Sequence, residues 1–385
     1  MHLDEAGERA YSRFNRGEQM AKMDSSSLFP ILPSQPTGIA RMAAQATHAG
    51  DGHRIEFKAL EVRSLLNRNV SRRTSWIAYS INPYRGCEFG CKYCFARYTH
   101  EFLQPMSIDS KLHKQPAAKT APDEPQAWAT AFEHEIYMKQ HAAWLLEQEL
   151  RRFDPRAEIA IGTATDPYQP VERRARITRS ILEVFARRSG YTIGIITKSR
   201  LIVRDLDVLA EVARHNRLVV HITITTPDAR LARLVEPRAP RPDLRFAAVR
   251  KLRDAGINAG VMCSPLLPGI NDDAKMLDEM GRRAAEACAS FFVANPLFLK
   301  LCSRPTYLSF VREHFPALEA DYRARFADRD FAAPKYRRQM AELVSAVRRK
   351  YGLGLRSMDV LPEDMEMAKK TADSVTVGVQ QRLFA

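Results

Sequence analysis

The sequence has no uninterrupted apolar run of about 18 residues, so no transmembrane helix is expected. Its opening stretch, MHLDEAGERAYSRFNRGEQM, carries acids and lacks the apolar core of a signal peptide. A cytoplasmic location is the expectation. Cysteine is scarce, with six in 385 residues, and a chain this long has no need of disulfide staples. Two further absences matter more. No second Cys-x2-Cys or Cys-x2-His half follows the first group of cysteines, as a closed structural zinc site would require. No cysteine at all lies between Cys94 and Cys263.

What is present is concentrated in the stretch Arg85 to Leu103. Cys87, Cys91 and Cys94 fall within eight residues, with three residues between the first pair and two between the second. Thiolates so spaced wrap one face of a metal centre, and iron–sulfur clusters and zinc both take thiolate ligands. Three ligands without an evident fourth suit a cubane cluster in which one iron is open to a ligand that is not protein. A zinc loop stays open as the alternative. Cys263, Cys288 and Cys302 lie singly in apolar segments far downstream.

Charge bears on partners. Lys and Arg number 59 against 45 Asp and Glu, a formal net charge of +14. Such a balance suits a polyanion, of which nucleic acid is the commonest. The plainer reading is a set of solvated arginine-rich helices.

Along the chain, residues 1–52 mix Ser, Pro, Gly and charge without periodicity and read as a mobile arm. From 53 to 300, short apolar runs alternate with helical patterns. Strands are expected at Trp76–Ile81, Phe132–Lys139, Glu158–Gly162, Tyr191–Thr197, Leu218–Thr225, Ile257–Ser264 and Phe291–Asn295. Helices are expected at His141–Arg152, Thr178–Arg188, Asp205–Asn216, Arg241–Ala255 and Asp272–Ala289. This beat implies parallel βα units and an α/β fold, a partial (β/α)6-type barrel with its chemistry at the C-terminal strand ends. Those ends are Lys139, Thr163 to Asp166, Lys198, Thr223 to Thr226, and Ser264 with the loop Pro265 to Asp272. His221, Thr223 and Thr225 share one strand face.

Two helices, Arg304–Ala327 and Pro334–Tyr351, are expected to pack on the barrel within residues 301–354. The second sets Tyr336, Met340, Leu343, Val344, Val347 and Tyr351 along one stripe and begins with proline. Its Arg337, Arg338, Arg348, Arg349 and Lys350 read as a solvated face or a phosphate-contacting one. Residues 355–385 form a tail.

Cys-x3-Cys-x2-Cys with Tyr93 before the last cysteine resembles the signature of the radical S-adenosylmethionine (SAM) superfamily. The resemblance extends further. NPYRGCEFGCKYCFARYTHEF, FE..I..K, GTATDPYQPVE, ITTPD..L..LVEPRAP and a P..PG.ND loop occur in that order, as in spore photoproduct lyase-like radical SAM proteins. It implies that Cys87, Cys91 and Cys94 bind a 4Fe–4S cluster and that Tyr93 lies by the adenine of SAM. Lys139, Thr163, Thr165 and Asp166 would meet its methionine part, Thr223 and Thr225 its ribose, and Lys198 joins this cofactor set. An external electron donor is also implied. Spore photoproduct lyase takes its hydrogen from a cysteine downstream of the cluster. In this chain the candidate is Cys263, for which a structural thiol is the rival reading.

The last residues resemble the Q-x-x-L-F peptide that docks on the replication sliding clamp, through Gln380, Leu383 and Phe384. The expectation is thus an enzyme that abstracts hydrogen from a nucleic acid for repair or modification. A radical SAM enzyme of a peptide or small molecule, and a non-catalytic iron–sulfur or zinc nucleic-acid-binding protein, are the alternatives.

Overall fold

A computed structural model describes residues 54–68, 78–103, 126–154 and 157–355. The chain divides at Arg54, and the unit Ile55–Ala385 carries the sheets and helices that follow. The arm expected over 1–52, the tail from 356 onward and its peptide at Gln380, Leu383 and Phe384 lie outside the described residues. No described helix is long and apolar enough to cross a membrane.

The strands are β1 (Glu56–Leu60), β2 (Leu66–Arg68), β3 (Tyr79–Ile81), β4 (Tyr84–Arg85), β5 (Glu135–Lys139), β6 (Glu158–Ile161), β7 (Thr192–Thr197), β8 (Arg217–Thr223), β9 (Asn258–Leu266) and β10 (Phe292–Pro296). Apolar, β-branched runs such as TIGIIT and LVVHIT suit strands covered on both faces. β3, β6, β7, β8, β9 and β10 pair side by side in parallel, and β2 adds an antiparallel edge. The sheet is open, with β10 at one end and β2 at the other, so the partial six-unit α/β barrel read from the sequence is the architecture found.

One expected strand goes elsewhere. β5 pairs with β1 and β4 in a separate three-stranded sheet, so Lys139 ends an outlying strand and not a barrel strand. A period-2 pattern identifies a strand but carries no information on its partner.

The helices cover the sheet as their apolar spacing requires. Helix Pro334–Tyr351 buries Met340, Val344 and Val347, the expected stripe. The single helix expected over Arg304–Ala327 is instead Arg304–His314 and Glu319–Arg325, interrupted where Pro316 denies the backbone a donor. These two helices build a second apolar core, in which Tyr307, Phe310, Tyr322 and Phe326 join Phe89, Tyr93 and Phe132 around the cysteine loop.

Close helix contact depends on Gly281 in helix Ala274–Glu286. A Cβ there would strike Val347 Cγ1 and lie 2.9 Å from the Tyr351 ring. Gly281→Ala should cost about 1–3 kcal/mol through overpacking. Val347→Ala should give back part of that loss in the double variant, a coupling of roughly 0.5–3 kcal/mol that denaturant unfolding would measure.

Candidate functional site

β3 runs into Asn82, whose side chain ties the first barrel strand to the loop after β6. Its Oδ1 accepts from Ala164 N at 2.9 Å and Thr165 N at 3.3 Å, and its Nδ2 donates to Thr163 Oγ1 at 3.3 Å. Thr165 Oγ1 donates to Tyr84 O at 3.1 Å. The chain then enters the cysteine loop, where Cys87 N donates to Phe132 O at 2.9 Å.

An irregular buried loop must satisfy its backbone groups outside a ladder. In this loop side chains from three distant segments do so. Glu88 N donates to Gln169 Oε1 at 2.9 Å, and Gln169 Nε2 returns to Gly86 O at 3.2 Å. Lys92 N donates to Val235 O at 3.0 Å, and Arg238 Nε donates to Glu88 O. Arg97 Nη2 donates to Cys91 O at 3.2 Å, and Ser303 Oγ to Cys94 O at 2.7 Å. Glu133 bridges the two arginines, 2.8 Å from Arg238 and 3.4 Å from Arg97. Gly90 turns at φ +60°, and a Cβ would fall on the Arg238 guanidinium and the Glu133 carboxylate.

Cys87 and Cys91 are buried and Cys94 is half-buried, and Cys91 is an electrostatic neighbour of the other two thiols. Burial pushes Cys87 and Cys94 up and Cys91 to about 12, opposed at Cys87 by backbone amides of Asp166 and Phe89 and at Cys94 by that of Ala96. Lys198 is the charged group that acts most on Cys91, and its Nζ sits 5.7 Å from the centre of the Tyr93 ring. Among the described residues no three His, Cys, Asp or Glu side chains converge closely enough to hold one metal ion.

Tyr93 OH meets Thr225 Oγ1 at 3.0 Å and donates to Glu236 Oε1, to which Thr225 Oγ1 also donates, at 2.5 Å. Glu236 pairs with Arg245 at 2.5 Å, and both side chains are essentially buried. Burial alone would raise the Glu236 carboxyl; Arg245 and Lys198 overcome it and hold it below the usual range. Arg245 also donates to Thr223 O at 3.1 Å. Asp166 accepts from Thr197 Oγ1 at 2.6 Å, Lys198 N at 2.7 Å and Tyr168 N at 2.9 Å, so its carboxylate is engaged within the protein.

The structure thus brings together the three cysteines, Tyr93, Asp166, Lys198 and Thr225, with Thr163 and Thr165 on the same loop as Asp166 and buried Thr223 two residues before Thr225. Lys139 is not in this group. Its ammonium has Arg85 and Glu149 as charged neighbours, and burial, reinforced by Arg85, lowers it to about 8. Cys263 is fully buried and points its thiol at Thr225 O, 3.7 Å away. Gln169, Glu236 and Arg238 are visible in the sequence only as letters inside motifs. Arg245 carries no sequence signal, because an arginine on an amphipathic helix reads as solvated.

A parallel, open α/β barrel with a three-cysteine loop leaving its first strand defines a class of enzyme that works at its strand ends. The particular family follows from comparison. The chain belongs to the radical SAM superfamily, whose family description matches residues 81–280. It is 31% identical over 331 residues to an uncharacterized protein of Mycobacterium tuberculosis, covering 86% of this chain and 88% of that one. An uncharacterized protein of Methanocaldococcus jannaschii is 24% identical, over 62% of this chain and 76% of its own length. In fold it resembles spore photoproduct lyase solved with bound AdoMet and dinucleoside spore photoproduct, with a TM-score of 0.55, 14% identity, and coverage of 89% and 91%. It is therefore a radical SAM enzyme, of a family that uses SAM with an iron–sulfur cluster.

Lys139 supplies a test of its surroundings. Its ammonium is charged in both folded and unfolded chains at pH 7, and only the folded one is desolvated. Lys139→Met should then stabilise the protein by roughly 2–3 kcal/mol at pH 7, the interval from 10.5 to about 8 taken at 1.36 kcal/mol per pH unit and discounted. Between those two values the unfolded chain binds the extra proton, so wild-type stability rises and the advantage of the variant shrinks. Thermal unfolding at pH 7 and pH 10 measures both.

Proposed function

We propose that Cys87, Cys91 and Cys94 hold a 4Fe–4S cluster with SAM on its open iron, and that the enzyme abstracts hydrogen from a nucleic acid. The observation that carries the cluster is the donor set: three thiols within eight residues of one loop, with backbone amides directed at two of the sulfurs. A cubane takes each thiolate on a separate iron and so leaves one iron open when the protein offers three. When bound, cluster and SAM together supply a 5′-deoxyadenosyl radical by one-electron cleavage of the sulfonium.

The residues of this chain orient and shield. Glu236 holds the Tyr93 and Thr225 hydroxyls in place, which fixes the Tyr93 ring beside the thiols where the adenine is expected. Lys198, the lysine next to the thiols, takes the SAM carboxylate in preference to Lys139. Thr223 faces the ribose, and the Thr163 to Asp166 loop lines the methionine end. Packing of Phe89, Phe132 and Tyr307 around the loop keeps water from the reacting centre. The catalytic barrel lies within residues 53–300, and the helices within 301–354 brace it.

Nucleic acid as substrate is supported by the net charge of +14 and by the fold shared with a lyase solved with a dinucleoside lesion. Cys263, committed to a backbone carbonyl, is better suited to packing than to hydrogen donation, so the chemistry departs from that of the lyase.

After anaerobic loading with iron and sulfide, the protein should bind iron and cleave SAM to 5′-deoxyadenosine. Cys91→Ala should lose most of its iron and more of that cleavage than the roughly 10–100-fold that loss of an outer-shell partner of a metal ligand costs. Oligonucleotides should bind at low salt, with affinity falling linearly in log salt. A protein that cleaves SAM but binds neither DNA nor RNA at low salt would defeat the substrate half of the proposal.

A further inference from the structure

A cleft of about 790 Å³ opens behind the cysteine loop, between the segments that follow β6, β7 and β8 and helix Pro242–Asp254. Part of its wall is Phe89, midway between Cys87 and Cys91. Seven of its lining residues are Arg or Lys and none is Asp or Glu. Arg204, Arg238 and Arg241 are answered by acids outside the lining: Glu172 and Asp205, Glu133, and Asp243. Exposed Arg173, Arg200 and Lys251 have no ion pair among the described residues.

We propose that this cleft docks the acidic face of a one-electron carrier protein, which reduces the cluster held by the cysteine loop. The assignment rests on the cluster reading above. One electron leaves the reduced carrier, which is thereby oxidised, and the cluster accepts it; no proton or group is transferred. Electron tunnelling falls exponentially with distance, so a donor must sit where the loop meets the surface, and the cleft wall includes Phe89 of that loop and Arg238, which bonds to its Glu88 carbonyl. Tyr93, Lys198, Thr223 and Thr225 do not line the cleft. A substrate has to reach those groups, whereas a reductant only has to approach the thiolates. Unpaired cations steer an acidic partner into a small, short-lived complex, the usual form of electron-transfer encounters.

The test replaces Arg173, Arg200 and Lys251 together by glutamate and uses flavodoxin as the carrier. With metal-free protein at low salt, flavodoxin binding should weaken about tenfold or more, because like charges now oppose. With loaded protein, flavodoxin-driven formation of 5′-deoxyadenosine should fall by a similar factor, while dithionite-driven formation stays within twofold. An Arg338→Glu, Arg349→Glu variant on the last helix should bind flavodoxin within twofold of wild type. Unchanged flavodoxin binding in the triple variant, equal loss in the helix variant, or loss of oligonucleotide binding in the triple variant would each overturn the assignment. The last result would give the cleft to nucleic acid. Failure of dithionite to drive cleavage in wild type would instead remove the cluster reading itself, and this proposal with it.

Discussion

The cysteine loop has almost no regular secondary structure, so its fixity depends on the bridge Arg97–Glu133–Arg238. Both guanidiniums donate to backbone carbonyls of the loop, one at Cys91 and one at Glu88, and Glu133 forms an ion pair with each. A buried carboxylate shared by two guanidiniums, each also bonded to a carbonyl, has the added hydrogen bonds that make a buried pair tolerable. Removing Glu133 would leave the buried Arg97 guanidinium without its carboxylate beside the apolar core that contains Phe89 and Phe132, and would free Arg238 on the half-buried side. The spacing of the thiols therefore depends on charges drawn from three separate stretches of chain.

A second buried pair, Glu236 with Arg245, performs the matching task on the barrel side. It joins the end of β8 to the Tyr93 hydroxyl, so strand end and cysteine loop are tied to one buried pair. Val235 to Arg238 contacts the loop at each end through Lys92 N, Glu88 O and Phe89 O. Preorganised donors and acceptors cost no rearrangement at the moment of reaction.

Much of the fold is legible because its strands are both-face buried and its helices amphipathic. The runs at Glu158, Thr192, Arg217, Asn258 and Phe292 stand within one or two residues of the observed strands. β5 is legible as a strand but not as a member of another sheet, so Lys139 is expected at the end of a barrel strand and is found at the end of an outlying one. Arg245 reads as a solvated arginine and Arg238 as one letter of LVEPRAP, since charge alone does not say which guanidinium will meet a buried carboxylate.

The amino-acid order by itself determined the spacing of the three cysteines, the alternation of strand and helix and the excess of positive charge. All three are local or additive properties that a one-dimensional pattern records. Tertiary structure alone decided which lysine stands by the thiols, that Asp166 is engaged by Thr197 and Lys198, and that the unpaired cations gather behind Phe89. These depend on contacts between residues tens to more than a hundred positions apart, and burial sets their energies: a charge that costs nothing in water must find its partner once water is gone.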